Sequence, residues 1–137
     1  MLSTDLMTDA FGRVQEAVHA VLVGAGPALL EYRADSEANT IAWLVWHLTR
    51  VQDNHVAVLI GEPQVWTAGG WQKRFNLPFA AGATGYGQDA AEVAAVRVGT
   101  DRCAATSTPC TNARSSLWAG CTKTTSAAWS IPGGPRR

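Results

Sequence analysis

The sequence predicts an all-α fold. Two stretches, 4–22 and 40–60, place apolar residues three and four positions apart, and each ends at a glycine–proline cluster. A third helix is signalled by Asp89 and Glu92, which stand at the spacing of a capping box with Asp in place of Ser or Thr. The 137 residues suffice for one domain with one modest core. An apolar content of 47% argues against disorder throughout the chain.

In the first stretch Leu6 or Met7, Phe11, Val14, Val18 and Val21 define the inward face. Asp5 and Asp9 suit the positive end of the helix dipole, and Gly24, Gly26 and Pro27 stop the helix. Residues 28–38 read as a connector with a short helical turn, and Asn39 reads as the next N-cap. The second stretch carries the strongest signal, with Ile41, Leu44, Val45, Leu48, Val51, His55, Val56 and Leu59 along one broad face. Gly61 and Pro63 close it. Residues 62–88 form a long connection rich in glycine and aromatics, with a helical turn near Trp71–Phe75. A connection of this length is functional or packs over a core. From Ala90 to Val98 the third helix turns Val93 and Val96 inward.

Beyond residue 100 the pattern lapses. Residues 101–137 hold six Thr, five Ser, six Ala, three Cys and two Trp, with no Glu and no clear period. Charge divides at the same place, with a net −4 over residues 1–100 and +4 over the remainder. The spacing of Cys103, Cys110 and Cys121 matches no zinc pattern, and an odd count does not make a disulfide framework. No apolar run spans a bilayer and no basic segment opens the chain, so the expected compartment is cytoplasmic. The scattered basic residues of the tail do not suggest nucleic-acid binding.

The run Asn39-Thr-Ile-Ala-Trp-Leu-Val-Trp-His-Leu-Thr-Arg50-Val-Gln-Asp53 resembles the second helix of the DinB-like superfamily, which includes the metal-binding domain of mycothiol-dependent maleylpyruvate isomerases. Gln64-Val-Trp-Thr-Ala-Gly-Gly-Trp71, Arg74-Phe-Asn-Leu-Pro78, Thr84-Gly-Tyr-Gly87 and Glu92–Val98 add to the likeness in the expected order, with an actinobacterial character. The resemblance covers about residues 4–98. It implies an up-and-down four-helix bundle, often a homodimer, holding zinc or nickel in a histidine triad. The first ligand would be His47. A His-x-x-x-His pair on a later helix would supply the other two. The chemistry implied is thiol-linked transfer or isomerisation, with a small thiol such as mycothiol as partner.

Position alone allows two readings of His47. It lies at the edge of the apolar stripe, one turn from Leu44 and Val51, where an imidazole can enter a bundle interior. A core histidine satisfied by hydrogen bonds is the plainer reading, and the motif shifts the balance to a present or former ligand. His55 is eight positions on, so the two form no single-helix chelate. His19 and His55 are expected at the surface or rim. Arg50 and Asp53 read as a solvated or ion-paired face, and Trp43 and Trp46, opposite the stripe, as a subunit contact.

No histidine follows His55, so a His-x-x-x-His pair is missing. The expected organisation is a truncated DinB-like domain over 1–100 and a low-complexity tail over 101–137. In a frame shifted by one base, Ser107, Cys110, Leu117, Trp118 and Cys121 fall on codons of the apolar class at helical spacing. This suggests out-of-frame translation beginning near codons 98–103, which the gene sequence would decide. The expected function is a catalytically incomplete relative of metal-dependent enzymes, with any metal weakly held or absent. A non-catalytic interaction or dimerisation module and an inactive gene remnant are the alternatives.

Overall fold

The computed structural model describes residues 3–107, with side chains from Asp5 onward. Its two principal elements are 20-residue helices, α1 (Ser3–Leu22) and α3 (Ile41–Ile60). Short helices α2 (Pro27–Leu30), α4 (Val65–Ala68), α5 (Trp71–Phe75) and α6 (Ala90–Ala95) decorate the connections. Residues 100–107 form a further helical segment. No strand occurs among the described residues, so the all-α expectation holds. None of the described helices is long and apolar enough to cross a membrane.

Local chemistry accounts for the boundaries. α1 gives way at Gly24, whose φ of 73° is open to glycine and resisted by other residues. Pro27 then stands at the first turn of α2, where its missing N–H removes a donor that lacks an intrahelical partner anyway. Thr40, rather than the expected Asn39, caps α3, its Oγ1 accepting from Trp43 N at 3.0 Å. Gly61 ends α3 in the left-handed conformation, as its position predicts. At α6 the capping box is complete. Asp89 Oδ1 accepts from Ala91 and Glu92 N–H, and Glu92 Oε2 accepts from Asp89 N–H. This helix ends at Ala95, short of Val98, yet Val93 and Val96 both point inward as expected.

The inward faces of the long helices differ from the hydropathy reading. On α1 the buried residues are Val18 and Leu22, whereas Leu6, Met7 and Val21 are exposed. On α3 the buried face runs through Ala42, Trp43, Val45, Trp46, Thr49, Arg50, Asp53, Val56 and Ala57. Leu44 and Leu59, expected inside, are exposed, and Leu48 and Val51 lie at the margin. The helix has therefore turned its tryptophans to the core. Two indoles bury more apolar area than the leucines they displace, which favours this rotation.

The core gathers Trp43, Trp46, Trp66 and Phe75 with Val93, Val96 and Val98. The subunit contact expected of Trp43 and Trp46 is corrected accordingly, because both are enclosed by their own chain. Helical structure also continues past the lapse in pattern at residue 100. Cys103, Thr106 and Ser107 are buried there, and Thr100 Oγ1 donates to Ala25 O at 2.7 Å. The two hydroxyls return to their own helix, Thr106 to Arg102 O at 2.6 Å and Ser107 to Ala104 O at 3.0 Å. Side chains satisfied in this way can be buried without registering as apolar. Apart from Ser107, the positions invoked for the shifted frame lie outside the described residues.

Burial pushes the Cys103 thiol up from 9.0 to about 11. The folded state thus keeps its proton while the unfolded state releases it. Stability is expected to fall as pH rises from 9.0 to about 11. Denaturant melts across that range check the sign, and a Cys103→Ala variant should show a flatter pH dependence.

Candidate functional site

The site is built on one side of α3 and on the loop that faces it, residues 83–88. His47 is half-buried between them. Its ring stacks on Trp43, with centroids 4.5 Å apart and planes at 16°, and meets Tyr86 edge-on at 5.6 Å and 82°. On the loop side His47 Nδ1 donates to the carbonyl oxygen of Thr84. A carbonyl can only accept, so Nδ1 carries the hydrogen, and in the neutral ring Nε2 keeps the lone pair. Trp43 is held in turn, its Nε1 donating to Gln88 Oε1 at 2.7 Å.

Gly85 allows this approach. Its φ is 102°, and a Cβ there would lie 2.6 Å from His47 Nδ1, 3.0 Å from Trp43 Cζ2 and 3.2 Å from Trp46 Cζ3. The Thr84–Gly87 run was legible as a motif. Its role in seating the imidazole was not, because a backbone carbonyl leaves no trace in residue type. The glycine was the available clue.

One turn further along α3 stand Arg50 and Asp53, both fully buried. This corrects the solvated alternative; the ion-paired one holds, with Arg50 Nη1 3.6 Å from Asp53 Oδ2. Asp53 also caps α4, its two oxygens accepting from Val65 N at 2.9 Å and Trp66 N at 2.8 Å. Arg50 donates from Nε to Ala83 O at 3.1 Å and lies over the Trp66 ring, 4.9 Å from its centroid. The charges are buried because each also satisfies backbone of the long connection.

The three histidines are not brought together. His19 and His55 are exposed, as expected, and His55 Nδ1 pairs with Val51 O of its own helix at 2.8 Å. Eight residues of helix separate His55 from His47 by about 12 Å, far beyond the spacing of two ligands on one ion. Among the described residues no group of three His, Cys, Asp or Glu side chains could hold a metal. A resident metal therefore does not fit the donors found here. His47 instead lines an apolar groove of about 310 Å³ with Phe11, Val14, Leu48, Val51 and His55.

A family profile described as the DinB superfamily matches residues 10–109. Among solved structures, a crystal structure of a conserved protein from Enterococcus faecalis is similar to the chain at a TM-score of 0.75 and 19% identity. The alignment covers 93% of this chain and 73% of that one. At that identity the likeness speaks for the fold alone. No curated protein matches the chain.

Proposed function

The chain belongs to the DinB superfamily, and on that premise we propose that it is a catalytically incomplete relative of the superfamily's metal-dependent, thiol-linked transferases and isomerases. The carrying observation is the seating of His47. Its Nδ1–H is committed to the Thr84 carbonyl, which leaves Nε2 as the coordinating nitrogen. A carbonyl behind the ring is the usual outer support of a metal-bound histidine. No companion ligands converge on it among the described residues. One imidazole gives neither a tight site nor the three-ligand set with an open position used in catalysis. On this reading any zinc or nickel is held too weakly to activate a small thiol.

Metal analysis of the purified full chain tests this reading. The expected result is zinc and nickel far below one per chain after dialysis, with no tight uptake on titration. A stoichiometric, dialysis-resistant metal lost in His47→Ala would overturn it.

A second reading, a non-catalytic helical interaction or dimerisation module, is favoured by the exposure of Leu44, Val58 and Leu59 on α3. Large apolar side chains exposed at successive positions, as at Val58 and Leu59, suit a contact site. On this reading the full chain sediments as a dimer, and Leu59→Glu shifts it toward monomer. A wild-type chain that stays monomeric at high concentration rules the module out as a self-association device.

A further inference from the structure

Trp43 and His47 stand one turn apart on α3 and meet the same loop. The imidazole lies flat on the indole, with planes at 16° and centroids 4.5 Å apart. Each ring is tied to the loop through its own N–H. His47 donates to the Thr84 carbonyl, and Trp43 donates to the side-chain oxygen of Gln88 at 2.7 Å. Between these two anchors lie Gly85 and Gly87, with φ of 102° and 72°. Glycine adopts such angles without strain, so the backbone can double back and bring residues 84 and 88 to successive turns of α3. An indole N–H can only donate, which obliges the Gln88 amide to present its oxygen. Trp43 is only 7% exposed, and a buried donor deprived of its acceptor is unfavourable.

We propose that Gln88 is a positioning residue for His47, acting through the Trp43 indole. One hydrogen bond at Nδ1 fixes a single point of the imidazole and leaves the ring free to swing about it. The parallel indole face removes that freedom. Gln88 holds the indole, and so sets the plane of the imidazole without bonding to it. The same bond pins the loop at residue 88, four positions from the carbonyl that His47 uses. Loss of the Gln88 oxygen therefore acts twice, on the stack and on the placement of Thr84. The role matters because Nε2 is, on the reading proposed for this chain, the coordinating nitrogen. Its lone pair is available only while the hydrogen stays on Nδ1.

The test reads the ring ¹⁵N shifts of His47 in the metal-free full chain, with the signals identified by their loss in His47→Ala. Wild type is expected to show one fixed Nδ1–H form. Gln88→Leu keeps the bulk, removes the acceptor and should show a mixture of tautomers. Gln88→Glu keeps an acceptor oxygen and should restore the fixed form. Trp43→Phe keeps an aromatic face without the N–H and should match Gln88→Leu, with the double variant no worse than either single one. Gln88 is half-buried on a loop, so its variants decide the matter even where Trp43→Phe fails to fold. Added nickel gives a second readout. The His47 signals of Gln88→Leu should need roughly tenfold more nickel for equal broadening, the order expected when the outer support of a ligating histidine is lost. Nickel that reaches His47 in neither protein would refute the coordinating reading, while the ring shifts still judge Gln88. Unchanged ring shifts in Gln88→Leu, or Gln88→Glu behaving like Gln88→Leu, would each overturn the proposal.

Discussion

Asp53→Ala is expected to destabilise the fold by about 3–5 kcal/mol, the usual penalty for removing one member of a buried ion pair. The side chain is fully buried and has three tasks. It faces Arg50 and accepts the N–H groups of Val65 and Trp66. Removing it leaves a buried guanidinium with less compensation and frees two amides at the start of α4. With domain stabilities of only about 5–15 kcal/mol, much of the population could unfold. Urea melts followed by circular dichroism measure the loss. Asp53→Asn, which keeps an acceptor oxygen and loses the charge, should fall between wild type and Asp53→Ala. An alanine variant within about 1 kcal/mol of wild type would show that the pair is no better than a surface contact.

The second large effect is at Gly85. Alanine there must adopt a φ of 102° and place its Cβ 2.6 Å from His47 Nδ1. Backbone strain and overpacking each amount to about 1–3 kcal/mol, so a combined destabilisation of about 2–4 kcal/mol is expected. The variant should also release His47 from the Thr84 carbonyl. The ring-nitrogen chemical shifts then move from a fixed Nδ1–H form toward a mixture of tautomers. Unchanged shifts together with unchanged stability would mean that the loop yields freely and does not seat the imidazole. His47→Ala, by contrast, removes the obstructed ring. It should recover part of the stability lost in Gly85→Ala, which would trace the clash to that contact.

Much of the architecture was readable from residue order. Gly61 and the Asp89–Glu92 pair mark the end of α3 and the start of α6 because each acts on its own few neighbours. Which face of α3 turns inward was not readable. Leucines at 44, 48 and 59 outrank tryptophan and arginine on hydropathy, and only tertiary packing shows that the Trp43–Trp46–Arg50–Asp53 side has the better partners. α4 has no strong signal of its own, since its amides depend on a carboxylate twelve residues upstream. The segment 100–107 escaped notice because its buried groups are a thiol and two hydroxyls. His47 was found through its motif, whereas its loop partners Thr84, Gly85 and Gln88 became visible only in three dimensions.

One helical turn of α3 fastens both ends of the stretch that follows it, since Asp53 grips residues 65 and 66 and Arg50 grips Ala83. That arrangement makes the far end of the connection a natural place to alter its length. Gly82 is exposed, and a side chain added there would meet nothing within 4 Å. Extra residues grafted at that point change mainly the entropy of closing the span, about 0.6 kcal/mol for each doubling of its length. A tag or reporter peptide spliced in at Gly82 would therefore ride on the molecule while α3 keeps its grip on either side.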